Sequence, residues 1–363
     1  MWPWRCRTAY VQIDKQEDPV ALRREKREEY KRRGLFRDLC EDWYRAEVLD
    51  RDMKHPGTPR RYIDNHLVPV LGSKPAVEIT VADLARLLDG IKKRAPAAAN
   101  DLLRFTRRIF AFGVRRRMVP SNPTADLSPR LDAGGTERAR NRALNLDELA
   151  RLFEAIRKTP SFGGENLLGV RLLLALCVRK GELFGSRWSE FDLIGRSDRR
   201  PVWHLPADRT KTNEALDIPL VPTVVSWLRT LHTLADRSEW AFPRRKHDKH
   251  QRAPQVSFDT LNVAMARVHH DLMHFTIHDL RRTARTHLAA LGVRREVAER
   301  CLGHKLGGVE GTYDRHDYYK ERRAALGQWT ALLIQAEAGT TQVTTIGALR
   351  SANSSANVGR KAQ

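Results

Sequence analysis

Apolar residues first fall into a helical repeat at Phe36, Leu39, Cys40, Trp43 and Tyr44, the buried face of a helix beginning near Leu35. His55-Pro56-Gly57-Thr58-Pro59 interrupts that repeat, and a second helix is predicted after Pro59 through Tyr62, Ile63 and Leu67, with Arg60 and Arg61 at its N-terminal end. Thr80 with Asp83 three residues on reads as a capping box for a helix striped by Val81, Leu84, Leu87 and Leu88 and closed at Gly90. A longer helix over about 97–117 turns Leu102, Leu103, Ile109 and Phe110 inward and leaves Arg104, Arg107, Arg108 and Arg115 outward. An Arg-rich helical face suits a phosphate backbone, although a solvated face explains any single one of these arginines equally well.

Between Pro120 and Arg142 the composition shifts to Ser, Asn, Pro, Asp, Gly and Thr, as an interdomain linker requires. Asn145 and Glu148 then cap a helix through Leu149, Leu152, Phe153 and Ile156. The stretch from Leu167 to Leu183 is almost wholly apolar and predicts a buried helix meeting a turn near Arg179-Lys180-Gly181. Strand signals follow at 202–205 and at Leu216, Ile218 and Leu220, flanking a hairpin connection Thr210-Lys211-Thr212-Asn213-Glu214. Helices are predicted near 257–271, 277–291 and 294–302, the second opened by Thr276 and Asp279 and stopped by Gly292, the third stopped by Gly303. From about Gly339 the tail turns to Gly, Thr, Ser, Asn and Ala and is expected to be mobile.

Composition narrows the partner. The 363 residues suffice for two domains with sizeable cores, and 41% hydrophobic content is that of a globular chain. Lys and Arg exceed Asp and Glu by 21, so nucleic acid is the leading partner, with a merely basic soluble protein as the alternative. The longest apolar run, Leu167 to Val178, falls short of the roughly 20 residues a membrane span needs, and no secretory apolar region is present. Cys6, Cys40, Cys177 and Cys301 lack any Cys-x-x-Cys pairing, which argues against a zinc ribbon and for reduced thiols in a cytoplasm. The mixed-sign run from Leu22 to Arg33 reads as a solvated helix laced by charge pairs.

The chemistry concentrates between His278 and Tyr313. His278 and Arg281 are three apart near a helix N-terminus, where unpaired backbone N–H groups favour an anion. Arg179 emerges from apolar surroundings and needs a compensating anion; Glu182 and a substrate phosphate fit that need equally. Lys211 on its hairpin has a surface lysine as the simplest explanation. The run His269, His270, His274 and His278 invites a metal, but no Cys or carboxylate completes a known ligand spacing, so no metal or other cofactor is expected.

Four motifs occur together: Leu176-Cys177-Val178-Arg179-Lys180-Gly181-Glu182-Leu183 followed by Arg187-Trp188-Ser189-Glu190-Phe191-Asp192; Thr210-Lys211-Thr212; His278-Asp279-Leu280-Arg281-Arg282-Thr283 followed by Thr286-His287-Leu288; and Leu302-Gly303-His304 with Thr312-Tyr313. In order and separation, across about 35–335, they resemble the tyrosine recombinase family, the phage integrases, and especially the prophage type that inserts near tRNA genes. The resemblance implies a mainly α fold with a small antiparallel β-sheet, in which a helical core-binding domain is joined to an α+β catalytic domain of the DNA breaking-rejoining fold. Its boundaries would be 1–34 for a charged remnant of an N-terminal region, 35–128 for core-site DNA binding, 129–143 for the linker, 144–335 for catalysis and 336–363 for a flexible tail. The family usually has glycine where Cys177 stands, and its full-length prophage members carry a substantial N-terminal region that binds arm sites. This chain is therefore expected to be shortened there, with arm-site recognition absent.

By the same resemblance Arg179 and Arg281 are the catalytic arginines, Lys211 the hairpin lysine, His278 and His304 the two histidines, Tyr313 the nucleophile and Glu182 a supporting carboxylate. Arg60, Arg61, Arg104, Arg107 and Arg108 are the expected DNA contacts. Tyr318 and Tyr319 are rival nucleophiles, but the nine-residue interval from His304 to Tyr313 matches the family and theirs do not. The implied activity is site-specific recombination through a 3'-phosphotyrosyl intermediate, by a homotetramer on att-like double-stranded DNA, integrating or excising a prophage or genomic island. A DNA-bending accessory protein and an excisionase are the implied helpers, and the bacterial cytoplasm and nucleoid the implied location. Bond energy stays in the covalent link, so neither ATP nor a metal is required. The reading from another class is a DNA-binding regulator or prophage remnant without catalysis.

Overall fold

The structure, a computed structural model, describes residues 34–136, 141–194, 201–244, 254–304, 314 and 316–340. The charged run before Gly34, part of the linker, Tyr313 and the tail beyond Thr340 lie outside the described residues. The chain divides into two compact units, Met1–Arg140 and Asn141–Gln363.

The first unit is helical. Helix α1 spans Phe36–Tyr44 and runs into a π-helical turn at Arg45–Leu49. Helix α2, Gly57–Tyr62, continues through a second π turn, Ile63–Leu67, into α3, Val68–Leu71. Helices α4 (Val81–Lys92), α5 (Pro96–Arg115) and the short α6 (Pro129–Asp132) complete the unit. The core forms where the apolar repeat predicts it: Phe36 stacks on Phe110 at 5.2 Å, and Tyr62 meets Phe105 at 5.3 Å, beside Trp43, Ile63 and Leu102. Thr80 and Asp83 form the expected capping box, Asp83 N–H donating to Thr80 Oγ1 at 3.2 Å. Gly90 does not close α4, which continues to Lys92 because Ile91 still packs against the core and holds the last turn.

In the second unit α7 (Leu146–Arg157) and α8 (Gly164–Leu176) precede a short α9, Lys180–Phe184. Strands β1 (Phe191–Asp192), β2 (Val202–Leu205) and β3 (Leu216–Pro219) form one antiparallel sheet in that order, Trp203 facing Phe191 on one side and Ile218 on the other. Helices α10 (Pro222–Leu234), α11 (Thr260–Met265), α12 (Ile277–Ala290), α13 (Arg295–Cys301) and α14 (Tyr319–Glu337) follow.

Helix α8 is apolar around nearly its whole circumference, so it is buried among α10, α12 and α14. Trp329 of α14 donates its indole N–H to the Leu174 carbonyl at 2.7 Å. The apolar run predicts this helix but overshoots its end: α8 stops at Leu176 because Cys177 turns left-handed, φ 57° and ψ 22°. Helix α11 is also shorter than the predicted 257–271. Helices α10 and α14 carry stripes that mark them in hindsight, Val224, Val225, Leu228 and Leu231 in one, Leu326, Trp329, Leu332 and Leu333 in the other.

Candidate active site

The left-handed Cys177 turns the chain out of α8 and delivers Arg179 to the start of α9. Arg179 N–H donates to Glu182 Oε2 at 2.8 Å, and its Nη1 donates to Glu182 Oε1 at 2.6 Å. Glu182 is buried, so the pair forms in a low-dielectric setting. Behind it, Arg209 of the hairpin donates to the Glu182 carbonyl and to Glu190, which also accepts from Trp203 Nε1 at 2.9 Å. The β2–β3 connection is thereby locked onto α9.

Opposite stands α12. Thr276 donates from its N–H and its hydroxyl to Asp279 Oδ2, both at 2.8 Å, and Arg282 donates to the other oxygen. Desolvation works to raise the Asp279 carboxyl, but these bonds outweigh it and hold the group below its ordinary value. The capped turn carries His278 and Arg281. His278 is exposed; desolvation, then the positive charges of Arg282, Arg281 and Arg179, push its imidazole below the ordinary value. It is the neutral ring, the form that accepts a proton, that these neighbours favour.

Arg281 is 4% exposed. Its Nη1 donates to the Cys177 carbonyl and its Nη2 to the Leu302 carbonyl, and no carboxylate bonds it among the described residues. Burial, then the charge of Arg179, push this guanidinium down to about 10, so it stays charged at neutral pH. Arg281 Nη2 also lies 3.1 Å from His304 Nε2, and His304 Nδ1 lies 2.7 Å from Glu299 Oε2. Arg179, Glu182, Arg281 and His304 line one cavity of about 130 Å³, with Thr210, Thr212, Glu214, Arg300 and Asp317 around it. Two guanidiniums on a small polar cavity can donate to a tetrahedral oxyanion, in a lining that also holds the carboxylates of Glu182, Glu214 and Asp317.

Residues 142–320 match the phage integrase family, and residues 36–130 match the phage integrase central domain. The chain belongs to the phage integrase family. Among its relatives, prophage integrase IntZ of Escherichia coli K12 is 28% identical over 292 residues, which are 80% of this chain and 69% of IntZ. The Tn1549 transposon integrase in complex with a circular intermediate DNA shares the fold at a TM-score of 0.57 and 16% identity, over 81% of this chain and 99% of that one. The lambda integrase tetramer bound to a Holliday junction does so at 0.57 and 17%, over 84% and 89%. Mainly helical architecture with a small antiparallel sheet is therefore the family's, and this integrase is a site-specific DNA recombinase by membership.

The structure brings Arg179, Glu182, Arg281 and His304 of this integrase together on the cavity and places His278 close enough to feel the charge of both arginines. Lys211 is exposed on the hairpin turn between the cavity-lining Thr210 and Thr212, and Tyr313 lies outside the described residues. In the first unit Arg60 bonds Asp64 at 2.6 and 2.8 Å and Glu41 at 2.8 Å, and Arg104 pairs with Asp101 at 2.7 Å. Arg107 is turned inward, donating to the Leu127 and Thr124 carbonyls. Arg61 lies over the Tyr62 ring and Arg108 over Trp43, neither with a carboxylate partner among the described residues. Glu299 and Arg209 lie outside the four motifs, and Glu190 stands within the first of them without an assigned role. Arg209 adjoins Thr210-Lys211-Thr212, and Glu299 precedes His304 by five residues.

No helix among the described residues is long and apolar enough to cross a membrane. Among those residues no group of three or more His, Cys, Asp or Glu is arranged to hold a metal ion. Cys40, Cys177 and Cys301 are free and buried.

Proposed function

We propose that this integrase cleaves and rejoins double-stranded DNA at att-like sites, Tyr313 attacking a phosphodiester held by Arg179, Arg281 and His304. One observation carries the reading: Arg281 is a buried cation bonded, among the described residues, by two carbonyls and an imidazole, and it lines a cavity of about 130 Å³ together with a second guanidinium, that of Arg179. Such a charge is costly until an anion enters. A phosphate there accepts from both guanidiniums, which offset the charge added in the transition state.

A phenol near pKa 10 must lose its proton to attack, and His278, its imidazole pushed below the ordinary value by desolvation and then by its cationic neighbours, is the base. The Tyr313 oxygen bonds phosphorus, the bond to the 5' oxygen breaks, and Lys211 donates the proton that leaves with the 5'-hydroxyl. Attack by the partner strand's 5'-hydroxyl reverses these steps. Two duplexes must be paired for the exchange, so the working assembly is a tetramer, and accessory bending proteins or an excisionase set its direction. Exposed Arg61, Arg104 and Arg108 of the first unit contact the DNA backbone. Integration or excision of a prophage or genomic island is the outcome.

The test is a nicked suicide duplex made from the ends of the element that carries the reading frame, analysed by denaturing electrophoresis. A covalent protein–DNA band that disappears in Tyr313→Phe is expected. Retained DNA binding with no band on any end sequence leaves a DNA-binding protein without catalysis.

A further inference from the structure

His304 is held from both sides. Arg281 Nη2, 3.1 Å away, is a donor only, so His304 Nε2 must carry its lone pair toward it. The ring hydrogen then sits on Nδ1 and is donated to Glu299 Oε2 at 2.7 Å. The remaining carboxylate oxygen, Oε1, accepts from Arg285 Nε of α12 at 2.9 Å, and the Glu299 carbonyl accepts the His304 backbone N–H at 3.0 Å. Desolvation works to raise the Glu299 carboxyl, but the bonds from His304 and Arg285 outweigh it and keep the group ionised.

This orientation is opposite to the one the chemistry needs. In the free protein Nε2 accepts, whereas a phosphate oxygen in the cavity requires a donor there. When a phosphate draws the Arg281 guanidinium, Nε2 is released and can take a proton from solvent. An imidazolium on this cavity faces Arg179, Arg281 and Arg300, with Glu182, Glu214 and Asp317 as the other lining carboxylates. Glu299 is the carboxylate bonded to the ring, at Nδ1.

We propose that Glu299 is a positioning residue, selecting the Nδ1-protonated form of His304 and sustaining its positive charge when Nε2 donates to the DNA phosphate. This rests on the phosphate reading of the cavity given above.

Ring-nitrogen NMR of His304 in the DNA-free full chain is expected to show the Nδ1-protonated tautomer with that proton in a hydrogen bond, and Glu299→Ala to move the Nδ1–H resonance as the bond to Oε2 is lost. A wild-type ring already protonated at Nε2, or one unmoved in Glu299→Ala, overturns the assignment. In suicide-substrate cleavage Glu299→Gln keeps the shape and the acceptor but removes the charge. Cleavage on the alkaline limb of its pH profile is expected to fall about tenfold, with little change near pH 6. A uniform loss with the limb unmoved would mark a merely structural residue. If His304→Ala cleaves as fast as wild type, the phosphate role of His304 fails, and the ring-nitrogen measurement alone judges what Glu299 does.

Discussion

The guanidinium of Arg281 donates to the carbonyl of Cys177, a residue 104 positions earlier whose own backbone is left-handed at φ 57°. The strained turn and the buried cation are therefore one structure: the conformation that ends α8 also aims a carbonyl at the Arg281 guanidinium. The family's usual glycine adopts φ > 0 freely, whereas a non-glycine there costs about 1–3 kcal/mol. The Cys177 side chain is fully buried, which returns part of that cost.

Cys177→Gly is accordingly expected to change unfolding free energy by no more than about 1 kcal/mol, the strain relieved being set against lost burial and added chain entropy. Cys177→Val puts a β-branched residue in the same conformation and is expected to destabilise by about 2 kcal/mol or more, with cleavage lost beyond what the folded fraction explains. Urea unfolding and suicide-substrate cleavage of both variants measure this. Equal behaviour of glycine and valine would detach the turn from the site.

Arg281→Lys preserves charge but not the fork. One ammonium cannot reach the Cys177 carbonyl, the Leu302 carbonyl and a phosphate in the geometry that a guanidinium holds. DNA affinity is expected within a few-fold of wild type, while cleavage falls by about 10²–10³-fold. Filter binding and single-turnover cleavage separate the two, and cleavage at the wild-type rate would remove Arg281 from the chemistry.

Much of this was legible because the signals are local. The helical stripe through Phe36 and Trp43, the capping boxes at Thr80, Asn145 and Thr276, and the glycine stops at Gly292 and Gly303 each depend on residues within one or two turns. What escaped depends on distant packing. Gly90 looks like a helix stop until Ile91 finds the core, and nothing near Arg107 announces that it satisfies the carbonyls of Thr124 and Leu127. Glu299 is the instructive case. It sits on α13 while His304 lies beyond the helix, so their contact has no helical spacing and arises from the chain folding back at Gly303, φ 63°.

His287 is buried against Trp329, ring centroids 4.9 Å apart and 7° from parallel, and its Nε2 lies 2.9 Å from the Leu144 carbonyl. Burial holds its imidazole below the ordinary value, outweighing that carbonyl, which acts the other way. An unfolded histidine, titrating near ~6.5, binds a proton that the folded one resists. Its contribution to stability is therefore complete above that pH and is lost as the pH falls below it, at up to about 1.4 kcal/mol per pH unit. His287→Phe should keep the stack and leave the carbonyl unbonded at a cost of about 1 kcal/mol, yet lose stability less steeply between pH 7 and 5. Urea unfolding across that range decides it; an unchanged slope would assign the pH dependence elsewhere.

The arginines of the first unit divide by what already holds them. Arg107 donates to two carbonyls and is expected to act on the fold: Arg107→Ala should lower the unit's stability by about 1–2 kcal/mol. Arg61 and Arg108 lie over aromatic rings with their charge unspent on any carboxylate among the described residues. Arg61→Ala and Arg108→Ala should leave stability nearly unchanged, weaken binding across DNA sequences alike, and each reduce the salt slope by about one. Arg60 is intermediate, because a phosphate must displace Glu41 and Asp64 before it can be bound. Salt-dependent binding isotherms on specific and random duplexes check this ranking, and a loss of affinity confined to one DNA sequence in Arg108→Ala would mean base readout rather than backbone contact.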